Sequence, residues 1–192
     1  MVAETLHRTG GHIAKRRLKI DRGELELALE TDSYEMRHYL DLETGEIILV
    51  MDEISSKLDI IYGQIYGEEG GRVASLEEYL EGEDTHDWQK GALLDADRVE
   101  QGYGERYIRV EWDNPYGDYN DMERFIRTVE DPELRERLWR AIDGRGAFRY
   151  SKDVVGEHPQ VRERWFAFKD ARRRQRTEAW LEAHDIELIE GE

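Results

Sequence analysis

The stretch that most limits the fold is Tyr39 to Val50, where Tyr39-Leu40-Asp41-Leu42 and Ile47-Ile48-Leu49-Val50 flank Glu43-Thr44-Gly45-Glu46. Two apolar runs around a glycine-containing tetrapeptide specify two strands joined by a hairpin turn. Tyr107-Ile108-Arg109-Val110-Glu111-Trp112 alternates and is expected as a strand beside that hairpin. After it the period becomes helical. Met122, Phe125, Ile126 and Val129 recur at helical spacing. Asp131-Pro132-Glu133 supplies an N-cap, an N1 proline and a first-turn acid for a helix through Ile142. Ala147 to Val155 is a further short helix, and Pro159 opens a long final one to about Ala183. Its inward stripe is expected to be Val161, Trp165, Phe168, Ala171, Gln175 and Ala179. Ile186–Ile189 is placed as a last strand of the same sheet. The pattern is α+β: a small antiparallel sheet packed against a mainly helical C-terminal half.

A chain of 192 residues fits one domain, assigned to residues 16–192. Residues 1–15 lack hydrophobic periodicity and are expected as a flexible N-terminal arm. Asp21 caps a short helix with Leu25, Leu27, Ala28 and Leu29 on its apolar side. Residues 63–105 are expected as an acidic, glycine-rich connecting segment, since eight of the chain's glycines and twelve acids stand there against three cations. Much of it reads as solvated loop, broken by a capped turn at Ser75–Leu80 and a helix over Trp88–Val99.

The net charge is −17, which disfavours nucleic acid and anionic lipid as partners. Against that background residues 135–176 stand out, with thirteen Lys/Arg and six Asp/Glu giving +7. An acidic protein or a small anionic ligand is the partner this polarity points to. Arg145, Arg149, Lys152 and Arg172 are the candidate binding residues, because guanidinium and ammonium groups on a glycine-flanked segment can hold a carboxylate or phosphate. Arg172 falls on the apolar stripe of the final helix, so it either serves that site or pairs with an acid such as Asp170 or Asp153. Trp165, Phe166 and Trp180 are the aromatics that could stack bases if the partner were nucleic acid.

No catalytic residue, metal-ligand set or cofactor is assigned. The chain has no cysteine, no HExxH pair among its histidines, no phosphate loop and no GxSxG elbow. No apolar run approaches a membrane span of roughly 18 residues, and no apolar segment follows the basic N-terminal residues, so a cytoplasmic location is expected. The function expected is a non-enzymatic binding or regulatory module. The competing reading is a small enzyme acting on a phosphorylated or carboxylated metabolite in a cleft lined by Arg145, Arg149 and Arg172.

Four ordered motifs carry a resemblance. They are Tyr39-Leu40-Asp41-Leu42-Glu43-Thr44-Gly45-Glu46-Ile47; Tyr119-x-Asp121-Met122-Glu123-x-Phe125-Ile126; Gly144-Arg145-Gly146-Ala147-Phe148-Arg149 with Lys152-Asp153; and Arg164-Trp165-Phe166-Ala167-Phe168-Lys169-Asp170. From about Leu18 to Ile186 the chain resembles the bacterial proteins grouped as uncharacterised protein family 0158. The resemblance implies a small bacterial cytosolic α+β protein and brings no established activity. The chain departs from it at Arg149-Tyr150-Ser151-Lys152-Asp153, where an Arg-Arg-Phe-Lys-Asp run is expected, and over residues 63–105.

Overall fold

The computed structural model describes residues 15–66, 75–112, 117–143 and 146–189, apart from the side chains of 147 and 148. Residues 1–14 of the expected N-terminal arm lie outside them. The elements run β1 (Arg16–Leu18), α1 (Arg22–Thr31), β2 (Met36–Asp41), β3 (Ile47–Met51), α2 (Asp52–Ile65), α3 (Leu76–Gly82), α4 (Asp87–Gly102) and β4 (Tyr107–Val110). Then follow α5 (Gly117–Arg127), α6 (Pro132–Ile142), α7 (Ala147–Gly156), α8 (Pro159–Ala183) and β5 (Ile186–Leu188). This is an α+β fold with a helical C-terminal half.

β2 is the centre of an antiparallel sheet of order β3-β2-β4, with Tyr39 opposite Ile48 on one side and Arg109 on the other. Successive side chains point to opposite faces, and here both faces are covered. Tyr39, Ile48, Val50 and Tyr107 pack with α2, α3 and α4; Leu40 and Val110 pack with α1 and the end of α8. A third cluster, built from α5 to α8, holds Met122, Phe125, Ile126, Leu138 and Val155.

The hairpin is held at its turn by Asp41, whose carboxylate is buried. Oδ1 accepts from the backbone amides of Glu43 at 2.8 Å and Thr44 at 3.4 Å. Arg106 grips the same carboxylate from beside β4, with Nη2 donating to Oδ2 at 2.6 Å. Gly45 completes the turn at φ 80°, in the left-handed region. A Cβ there would stand 2.2 Å from the carbonyl oxygen of Lys19. Left-handed geometry alone costs an alanine about 1–2 kcal/mol, and the clash is with backbone that no rotamer change can clear. Gly45→Ala is expected to destabilise the fold by roughly 2–4 kcal/mol in a urea melt; an unchanged midpoint would contradict this account of the turn.

Four features differ from the sequence reading. Residues 52–65, assigned no element there, form α2, burying Ile54, Leu58, Ile61 and Ile65 one or two turns apart. The described part of residues 63–105 is more helix than loop. Ser75 and Glu78 close a capping box at α3, and Leu76, Leu80, Leu93, Ala96 and Val99 enter the core, because the apolar stripes of two acidic helices have a sheet face to cover. β5 does not join the three-stranded sheet; it pairs in parallel with β1, Arg17 opposite Glu187. The chain leaves α8 through Asp185, in the left-handed region at φ 53°, and this turn lays it beside residues 16–18. Finally, Leu27 of α1 is exposed, leaving Leu25, Ala28 and Leu29 as its buried side.

Candidate functional site

α5 to α8 assemble around the third core cluster. Asp131 starts α6 by accepting from the amides of Glu133 at 2.9 Å and Leu134 at 3.2 Å. That fixes Leu134, Leu138 and Ile142 against Met122, Phe125 and Ile126 of α5. α8 lies alongside, its Trp165 and Phe168 rings 5.0 and 5.6 Å from Phe125.

Ala171, Gln175 and Ala179, expected inward on α8, are exposed. The face turned to the rest of the protein carries Val161, Trp165, Phe168, Arg172, Arg176 and Trp180 at helical spacing. Its first part belongs to the α5–α8 cluster, and Trp180 with Leu181 belongs to the cluster under the sheet. The joint between the two is polar. There Asp121 of α5, 2% exposed, receives two guanidinium groups. Arg172 Nε donates to Oδ1 at 2.7 Å, and Arg176 donates to Oδ2. Arg176 also stands 3.8 Å from Asp118, and Arg172 donates to Gln175. Two cations on one buried carboxylate satisfy both oxygens, which an isolated buried charge would require.

Beside this clamp a cavity of about 140 Å³ opens between α5, α6, α7 and α8. Its apolar wall is Met122, Phe125, Ile126, Leu138, Val155 and Trp165; its polar lining is Asp118, Ser151, Lys152 and Lys169. Ser151 is 7% exposed, and its hydroxyl donates to the Met122 sulfur at 3.3 Å. Lys152 is exposed and Lys169 half-buried, so both reach solvent from the cavity wall.

The four residues singled out from sequence are distributed as follows. Arg145 lies outside the described residues. Arg149 is exposed on α7, one turn before Lys152, which borders the cavity. Arg172 faces Asp121 rather than Asp170 or Asp153. Sequence reasoning missed Asp121, Arg176 and Lys169. A signal for the first existed: Asp121 precedes Phe125 by one turn on the apolar side of α5, and an acid in that position needs a cation.

The other cations of the basic stretch divide sharply. Arg137, Arg140 and Arg173 pair with Glu157, Glu136 and Glu30, while Arg135 and Arg164 donate to the carbonyls of Val129 and Thr128. Arg149, Lys152, Arg162, Lys169 and Arg174 make no ion pair among the described residues. Of the three aromatics considered for base stacking, Trp180 is buried and Trp165 packs against Phe125 and Phe168, leaving Phe166 exposed. Among the described residues no group of three or more His, Asp or Glu could hold a metal ion, and no helix is long and apolar enough to cross a membrane.

No solved structure gives a significant match to this chain. A UPF0158 protein of Pseudomonas aeruginosa is 26% identical over 172 residues, spanning 90% of this chain and 87% of that relative. The family described as Uncharacterised protein family (UPF0158) matches residues 89–192. That match covers more than half of the sequence and includes both the clamp and the cavity, and on it the chain belongs to the uncharacterised protein family UPF0158.

Proposed function

We propose that the protein is a binding or regulatory module that holds an acidic ligand or partner on the surface formed by α7 and α8. The observation that supports this reading is a set of cations that make no ion pair among the described residues: Arg149 and Lys152 on α7 and Lys169 on α8. On a chain of net charge −17, acids to pair with are abundant, and most neighbouring arginines have found one. A cation paired internally has little to offer an external anion; these three keep their charge available. Arg172 takes a positioning role here, since it holds α8 to α5 through Asp121.

Each exposed ion pair contributes only about 0.2–1 kcal/mol, so binding through this patch is weak and salt-sensitive. Charge reversal of Arg149 and Lys152 to Glu together is expected to lower affinity for a polyglutamate peptide by roughly tenfold or more without shifting the melting temperature. Raising salt from about 50 to about 500 mM is expected to weaken the wild type similarly. Unchanged affinity at unchanged melting temperature would overturn the proposal.

A further inference from the structure

Surface cations alone give little discrimination between one anion and another, yet two of these three border an apolar cavity. We propose that the cavity between α5, α6, α7 and α8 takes the single apolar ring of a small monocarboxylate, with its carboxylate held at the mouth by Lys152 and Lys169. This rests on the anion-binding reading of the same surface and deepens it by naming the ligand class.

Size sets the apolar part. A closed apolar cavity of about 150 Å³ stays dry and accepts a benzene ring, and this one measures about 140 Å³. One six-membered ring fits this volume, with the rest of the ligand at the open mouth. The wall favours an aromatic or alicyclic ring, since Phe125 and Trp165 line it together with Ile126 and Leu138. An occupant would restore the dispersion contacts that the lining atoms lack across the void.

Charge sets the polar part. Lys152 and Lys169 contribute two positive charges to the lining, and Asp118 contributes one negative. Asp118 is also 3.8 Å from Arg176, which draws part of its field away from the opening. A net single positive charge at the mouth balances a carboxylate, whereas a phosphate dianion would leave one negative charge uncompensated there. The Ser151 hydroxyl, already donating to Met122, belongs to the wall.

The test titrates the full chain with benzoate, and with acetate and benzyl alcohol as the anion without the ring and the ring without the anion. Binding is read from the indole resonance of Trp165 by NMR, assigned with Trp165→Phe. Benzoate is expected to give a saturable shift, with both controls at least roughly tenfold weaker. Val155→Met, which fills the cavity, is expected to abolish the shift. Lys152→Gln with Lys169→Gln, a surface change that leaves the core intact, is expected to weaken benzoate at least tenfold. No saturable shift with benzoate, equal binding of acetate, or benzoate binding indifferent to both variants would each overturn the proposal. Polyglutamate binding that persists while benzoate fails would sink the cavity ligand and leave the anion surface standing; loss of both would remove both.

Discussion

Replacing Asp121 with alanine is expected to lower stability by about 3–5 kcal/mol, the range for removing one partner from a buried charge pair. The side chain is 3% exposed and answers two guanidinium groups, of which Arg176 is itself 11% exposed and Arg172 24% exposed. Without the carboxylate, two positive charges would face each other at the joint between two core clusters, with only Gln175 and the more distant Asp118 nearby. For a chain of this size that loss corresponds to a fall in melting temperature of roughly 6–20 °C. Arg172→Met is expected to cost less, because Arg176 still neutralises Asp121 and the methionine stem continues the apolar stripe of α8. The order of the two effects carries the argument. If Asp121→Ala and Arg172→Met melt together near the wild-type temperature, the clamp does not join the helical half to the rest.

Asp41→Asn is expected to cost about 2–4 kcal/mol, since the amide cannot accept from Arg106 and the two turn amides as the carboxylate does. The same residue imposes a pH dependence. Burial pushes the Asp41 carboxyl up, but the Arg106 hydrogen bond and the Glu43 and Thr44 amides outweigh it, and the group sits below its ordinary value of 3.8. The unfolded chain therefore takes up the proton at higher pH than the folded one. The stabilisation from Asp41 is fully present above about pH 4 and is lost as pH falls through the depressed folded value. Urea melts from pH 5 down to about pH 3 should show the wild type losing stability more steeply than Asp41→Asn. Parallel slopes would mean that Asp41 is not held ionised by the turn.

The two clamps illustrate which parts of the molecule were legible. Helix starts at Asp21, Ser75 and Asp131 were readable because a cap acts over three residues: the backbone amides of Glu24, Glu78 and Leu134 donate to the cap side chain within the same turn. The hairpin was readable because Gly45 and two flanking apolar runs lie within twelve residues. The third strand followed from its own alternation. By contrast α2 was overlooked although Ile54, Leu58, Ile61 and Ile65 mark a helix stripe, since its first residue follows β3 directly and no side chain caps it.

The candidate site was legible only in outline. Charge segregation pointed to α7 and α8, where Lys152 borders the cavity, but which arginines are engaged depends on acids far away in the chain. Asp121 lies 51 residues from Arg172, 55 from Arg176, and Asp41 lies 65 from Arg106. Sequence alone determined the α+β class, the capped helices, the hairpin and the family, because each is written in local spacing or ordered motifs. Tertiary structure alone decided that β5 pairs with β1, that Ala171 faces solvent, and that Arg172 answers Asp121 while Lys152 and Lys169 border a cavity. The physical reason is distance along the chain. Caps, turns and periodicity act over a few bonds, whereas the pairing of a buried charge is fixed only when helices from separate stretches are packed side by side.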